Sequence, residues 1–319
     1  MKNKTTVEAD NGFSAGLVPF LQKFGTDAAC REYLEARRWP TGPECGHCES
    51  PKVYKLTGKT TRAGLYKCAV CRKPFTCTMG TIFEGSHIPL PKWFAAVYLM
   101  CSSKKGISAH QLHRTLKLTY KTAWFMCHRI RHAMKNPKFT RTLTGTIEAD
   151  ETYVGGKPRH RAPRGIHKSG RGTAKTPVMA IIQRDGPATA FIVKDVKAPT
   201  LRGAIIARVY PDATINTDQF CSYKNIGRHF AGGHQTVNHS AGEYVNGDAH
   251  VNTAESFFAL LKRGIHGTFH HTSKKHLHRY AGEFSFRWTN RKVKDGSRTE
   301  TALDGIEGVR LMYRTLIDN

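Results

Sequence analysis

Three acidic side chains in separate segments carry the arrangement with most chemical content. Asp150 lies in Thr146-Ile147-Glu148-Ala149-Asp150-Glu151-Thr152-Tyr153-Val154, a β-type run that ends in Gly155-Gly156. Strand alternation sets Thr146, Glu148, Asp150 and Thr152 on one face, and Ile147, Ala149 and Glu151 on the other. Asp218 ends a second short β-type run, 213–218. Glu255 lies in a helical segment, 252–264, which Asn252 or Thr253 can cap at its start and Gly264 at its end. Two strand aspartates and a helix glutamate offer oxygen ligands to hard divalent cations. A pair of Mg²⁺ (or Mn²⁺) ions is held by such carboxylates together with substrate phosphate oxygens. The competing reading of the Asp150 stretch alone is an edge strand with solvated acids. Glu151 should turn away from Asp150, whereas Glu148 shares its face and should support the site. Lys262 comes back to within about 20° of Glu255 around the helix, about 10.5 Å along it, a placement that suits a phosphate contact. Asp185, Asp212 and Asp248 sit in turn-like contexts and read as structural.

A second group is sulfur-based. Cys45-x2-Cys48 and Cys68-x2-Cys71 are two knuckles joined by a ribbon, with strands expected at 53–56 and 64–67. Four thiolates at this spacing predict one closed tetrahedral Zn²⁺ site. His47 and Cys77 are neighbours that could substitute as ligands and read as bystanders. Cys30, Cys101, Cys127 and Cys221 read as buried small apolar residues.

The elements around these groups follow from apolar spacing and breakers. Residues 1–41 read as a helical lead-in with Phe20, Leu21, Phe24, Cys30, Tyr33 and Leu34 on its apolar face, and 42–80 as the zinc ribbon. In 86–138, Pro91 starts a helix that Lys104-Lys105-Gly106 breaks. Ser108 caps a short helix, 117–119 turns, and a longer helix runs from Tyr120 to about Met134. Short helix, tight turn and longer basic helix make a helix-turn-helix-like pattern, with Lys121, Arg129 and Arg131 as DNA contacts. Residues 145–292 read as an α/β domain with strands at 178–183 and 190–193, a helix at 201–208 and the Asp218 strand. The segment 155–176 holds seven Lys/Arg and no acid; it reads as a loop, either solvated or clamped on phosphates through Arg159, Arg161 and Arg164. Residues 226–251 look irregular, and most of His229, His234, His239 and His250 read as surface or hydrogen-bonding groups. A helix with core aromatics is expected over 273–290, and 293–319 reads as a helix or tail that packs on the surface or on a partner.

With 319 residues and 39% hydrophobic content the chain can bury a core in two or more domains. The formal charge of +26 exceeds what solubility needs and points to an anionic polymer. A membrane surface is the rival partner, but the longest apolar run, Trp93 to Cys101, is too short to span a bilayer, and no membrane partner is expected. The N-terminal residues lack an apolar signal core, which predicts a cytoplasmic protein with reduced or metal-bound cysteines.

These residues together resemble the DDE-type bacterial insertion-sequence transposases that carry an N-terminal zinc ribbon. Besides the cysteine pairs, the resemblance rests on Gly80-Thr81-Ile82-Phe83-Glu84, Pro89-Leu90-Pro91-Lys92-Trp93, Thr122-Ala123-Trp124 with His128-Arg129-Ile130-Arg131, Glu148 to Gly156, His250 to Phe257, Leu261-Lys262-Arg263-Gly264 and Phe284-x-Phe286-Arg287-Trp288-x-Asn290-Arg291. It covers nearly the whole chain and implies an RNase H-like catalytic domain, a mixed sheet flanked by helices. Its catalytic acids carry over as Asp150, Asp218 and Glu255, with Lys262 as the basic residue on the same helix and Arg263 beside it on DNA. The implied activity is Mg²⁺-dependent cleavage and strand transfer. The implied partners are double-stranded DNA (the element's terminal inverted repeats and its target) and further copies of the chain on that DNA, in the bacterial nucleoid. Two rivals remain: a nuclease of the same fold without strand transfer, separated by a joining assay, and a DNA-binding regulator with idle acids, separated by a cleavage assay.

Overall fold

The sequence builds two compact units, seen in a computed structural model that describes residues 16–139, 142–156, 175–237 and 249–317. The first unit is drawn from segments 1–103, 109–136 and 293–319, and the second from 104–108 and 137–292. The basic stretch 157–174, including Arg159, Arg161 and Arg164, lies outside the described residues, as do His239 and Asp248.

In the first unit, α1 (Leu17–Lys23) and α2 (Asp27–Arg38) form the lead-in. Thr26 caps α2 by accepting from the Ala29 N–H at 3.2 Å. Phe20, Phe24, Cys30 and Leu34 are buried, whereas Leu21 faces solvent. The ribbon is an antiparallel sheet of β1 (Val53–Lys55), β2 (Tyr66–Cys68) and β3 (Pro74–Phe75). The third strand was not foreseen; two residues are too short for alternation to register. Three helices follow: α3 (Leu90–Ser102), with proline in its first turn, α4 (Ala109–Leu116) and α5 (Tyr120–Met134). The α4–α5 turn uses Lys117 at φ 49°, and Thr119 caps α5 by accepting from the Thr122 N–H at 3.3 Å.

The second unit holds a five-stranded sheet made of β4 (Thr146–Val154), β5 (Thr176–Gln183), β6 (Ala188–Ile192), β7 (Thr214–Asp218) and β8 (His234–Val237). Its order is β6-β5-β4-β7-β8; β4 runs antiparallel to β5 and parallel to β7, and β7 parallel to β8. β8 corrects the reading of 226–251 as wholly irregular. Its polar His-Gln-Thr sequence lacks an apolar alternation, and pairing with β7 supplies the order.

Helices cover both faces of this sheet. On one face Ile147, Ala149, Met179, Ile181 and Ile215 pack with Leu201 and Ile205 of α6 (Ala198–Ile206). On the other, Val154, Val178, Ala180 and Ile182 pack with Ala254, Phe257, Phe258 and Leu261 of α7 (Asn252–Gly264) and with Ala281 and Phe284 of α8 (Leu277–Thr289). The aromatics of α8 are core, as expected. α6 begins earlier than the apolar spacing suggested, because Pro199 sits in its first turn. The end of α7 also differs. Gly264 does not stop the helix; a π-helical turn, Ile265–Phe269, continues it. Gly264 is needed for closeness instead, since a Cβ there would stand 2.1 Å from Phe284 Cζ.

Beyond the second unit, the chain returns to the first as two short helices rather than one, α9 (Asp295–Asp304) and α10 (Tyr313–Ile317). Among the described residues no helix is long and apolar enough to cross a membrane.

Candidate active site and zinc centre

The acid site forms where β4 and β7 run side by side. Their last paired residues are Glu148 and Asn216. Asp150 and Asp218 each lie two residues further along, so strand alternation puts both on that same face. This is the face that α7 covers, and Glu255 sits exposed in the first turn of α7.

Backbone N–H groups hold both aspartates. The Asp150 Oδ1 accepts from the Glu151 N–H at 2.7 Å, and the Asp218 Oδ1 from the Phe220 N–H at 3.1 Å. The charges are unbalanced. Burial first, then the Glu151 carboxylate, then Asp218 and Glu255, push the Asp150 carboxyl up to about 7, against the pull of its backbone hydrogen bond. The residues present therefore fit divalent cations, whose charge removes that repulsion.

The neighbouring acids divide as strand alternation requires. Glu151 turns to the α6 face, where its Oε2 accepts from the buried Tyr223 hydroxyl at 2.7 Å. Glu148 stays on the α7 face, is fully buried, and accepts from the Thr253 N–H at 2.7 Å and the Ala254 N–H at 3.1 Å. α7 is thus capped by a strand residue and not by Asn252 or Thr253; its own N-cap, Val251, makes no side-chain hydrogen bond. Asp185 occupies a turn at φ 57° and pairs with Lys292 at 3.4 Å, and Asp212 is exposed.

The shift at Asp150 sets a pH dependence. In the metal-free protein the folded chain holds this proton up to about pH 7, whereas the unfolded chain releases it near 3.8. More protons bound in the folded state mean that stability falls as pH rises through this window. Asp150→Asn should abolish this fall, and Mg²⁺ should raise the melting temperature more at pH 8 than at pH 5.5. Equal slopes in wild type and variant, measured by thermal melting, would refute the assignment.

Among the expected DNA contacts, Lys262, Arg263 and Lys121 are exposed, the last with its ammonium 4.7 Å from the Tyr313 ring. Arg129 and Arg131, expected as DNA contacts, are by contrast buried, at 4% and 3% exposed. Arg129 donates to the Glu84 carbonyl and lies over the Trp93 and Phe125 rings, where burial pulls its pKa down to about 10. Arg129 thus braces the helical layer.

The four ribbon cysteines converge. Their sulfurs all lie within 4.8 Å of one another, with Cys45–Cys71 and Cys48–Cys68 each at 3.6 Å. A tetrahedron with Zn–S bonds of about 2.3 Å has edges of roughly 3.8 Å, so the sulfurs fit zinc. Burial raises the Cys68 thiol, but the backbone N–H groups of Cys71 and Val70 and the Cys48 and Cys71 thiols outweigh it and bring it to about 6. His47 contacts the Pro74 carbonyl at 3.3 Å, and Cys77 is buried with its thiol pushed up to about 11, so both stand outside the centre. Cys30, Cys101 and Cys127 are buried as expected, whereas Cys221 is exposed.

A family model for the ISXO2-like transposase domain matches residues 142–289, and one for the transposase zinc-ribbon domain matches residues 25–74. The chain is also 32% identical over 277 residues to an uncharacterized protein in transposable element ISH50 of Halobacterium salinarum, an alignment covering 84% of this chain and 92% of that relative. The chain belongs to the ISXO2-like transposases. In this transposase the matched domain spans all five strands of the second sheet and includes Asp150, Asp218, Glu255 and Lys262. The ribbon match takes in α2 as well as the four cysteines.

Proposed function

We propose that this transposase binds the ends of its mobile element and performs Mg²⁺-dependent DNA cleavage and strand transfer in an RNase H-like domain. The observation that carries the reading is the gathering of three acids, with Asp150 and Asp218 on one face of adjacent strands and Glu255 in the first turn of the helix that covers that face. Such a cluster is costly unless it holds cations. The sheet order, with β4 central, antiparallel to β5 and parallel to β7, supports the RNase H-like reading.

Asp150, Asp218 and Glu255 would hold two Mg²⁺ (or Mn²⁺) ions. These ions, when bound, supply an activated water and stabilise both oxygens of an in-line displacement. Water cuts the phosphodiester at the element end and leaves a 3′-OH. That 3′-OH then attacks a phosphodiester of the target, so one bond forms as another breaks and no covalent protein intermediate arises. The partner is double-stranded DNA, both the terminal inverted repeats and the target, engaged by copies of the chain assembled on it. Incubating the protein with the DNA that flanks its own coding region plus Mg²⁺, then mapping cut and joined strands, tests this. Cleavage without joining would make it a nuclease, and no cleavage would make it an idle DNA-binding protein.

Lys262 and Arg263 are exposed in the last turn of the helix that carries Glu255. Lys262 would touch a phosphate near the cut. Lys262→Ala should then weaken end binding and cleavage by about tenfold, in line with one lost charged contact of 1–2 kcal/mol, and leave metal affinity unchanged. Lys262→Arg should retain much of the activity, and Lys262→Glu should be the worst. Wild-type cleavage and end affinity in the alanine variant would return this lysine to solvent.

A further inference from the structure

Glu148 is 0% exposed, two residues before Asp150 on the same face of β4. A buried carboxylate is tolerated only when its oxygens are satisfied. Here Oε2 accepts from the N–H groups of Thr253 and Ala254, at 2.7 and 3.1 Å. Oε1 accepts from the Thr253 hydroxyl at 2.8 Å and from Arg184 Nε at 3.0 Å. A carboxylate has about four acceptor sites, and these four donors, with His250 Nδ1 a further 3.2 Å neighbour of Oε1, leave none for a metal ion. Proximity to Asp150 therefore does not make Glu148 a ligand.

Its partners show what it does. The first N–H groups of a helix have no partner within the helix, and α7 provides no side-chain cap of its own. Glu148 fills two of those N–H groups and sets a negative charge at the positive end of the helix. The next residue is Glu255, whose own N–H bonds the Val251 carbonyl at 3.0 Å. One buried carboxylate thus fixes the turn that carries Glu255 to the strand that carries Asp150. Arg184 extends the tie. With the Asn216 amide oxygen turned towards it, Arg184 Nη2 donates to that oxygen at 3.1 Å, which brings in the strand that carries Asp218.

We infer that Glu148 is a positioning residue that locks the three acid-bearing elements into one frame and so sets the metal affinity of the acid site. The inference rests on the metal-site reading of Asp150, Asp218 and Glu255. Glu148→Gln is nearly the same shape but cannot accept from all four donors.

The test uses the full chain with zinc bound, and Mn²⁺ as the probe. Glu148→Gln should weaken Mn²⁺ binding by about 10- to 100-fold in calorimetry, the range for losing a group that orients metal ligands. Amide exchange at Thr253 and Ala254 in the metal-free protein should speed up, while affinity for element-end DNA stays at the wild-type value. Thr253→Val loses only the hydroxyl donor and should weaken Mn²⁺ binding by a smaller factor; it carries the test if the glutamine variant does not fold. A folded variant with wild-type Mn²⁺ affinity and wild-type protection at 253 and 254 would overturn the inference alone. A wild-type protein with no Mn²⁺ binding sensitive to Asp150→Asn would overturn the metal-site reading, and the inference with it.

Discussion

Asp150→Asn, Asp218→Ala and Glu255→Ala are each expected to lower Mg²⁺-dependent cleavage by about 10³-fold or more, while folding and DNA affinity persist. Losing one ligand of a metal pair forfeits several kcal/mol of transition-state stabilisation, and every 1.36 kcal/mol is about tenfold in rate. The Asp150 variant carries a second signature. Asparagine removes the charge that burial and three neighbouring acids oppose, so above pH 7 the metal-free variant should melt higher than wild type. Activity falls while stability rises, a pairing that general damage to the fold would not produce. Asp185→Asn is the control, because asparagine tolerates the φ of 57° there and the site is exposed. Full cleavage in any one of the three variants would remove that residue from the site.

The other large effect concerns zinc. The protein purified without chelators should contain about one zinc per chain, and Cys45→Ser or Cys71→Ser should lose it. The ribbon's apolar cluster is small, with Cys45, Tyr66, Cys68 and Phe75 buried and Trp39, Val53 and Met79 partly so. Such a core is too small to hold three short strands by itself. Structural zinc contributes about 10–16 kcal/mol at pH 7 in isolated zinc fingers, so its loss should unfold β1 to β3. The second unit should keep its melting transition. Elemental analysis that finds no zinc beside an intact ribbon would refute the centre.

Much of this was legible in the sequence because local rules carry it. Cysteine spacing is a local pattern, and so are the breaks around Gly106 and Lys117 that separate α3, α4 and α5. The strand with Asp150 alternated clearly enough to send Glu151 and Glu148 to opposite faces. What was not legible depends on partners far along the chain. Strand alternation puts Glu148 beside Asp150, but how it supports the site is visible only in its hydrogen bonds to Thr253, 105 residues away. Arg129 and Arg131 look like a basic helix face, since charge predicts exposure; both are buried, Arg129 in a three-dimensional environment that includes Glu84 and Trp93. Gly264 looks like a stop signal, and only the approach of Phe284 gives its real reason.

The return of the chain to its first unit has a consequence for synthesis. Arg37 on α2 pairs with Asp304 at 2.6 Å and Glu300 at 3.0 Å on α9. The Asn136 side-chain amide donates to the carbonyls of Gly305 and Glu307 at 2.9 and 3.0 Å. These partners leave the ribosome after every residue of the second unit. At about 5–20 residues per second, the roughly 170 residues between Asn136 and Gly305 take on the order of ten seconds or more to emerge. The helices of the first unit that bear Arg37 and precede Asn136 must therefore wait for these partners until translation is nearly finished. A chain cut short before residue 293 would carry a whole second unit and a first unit still open.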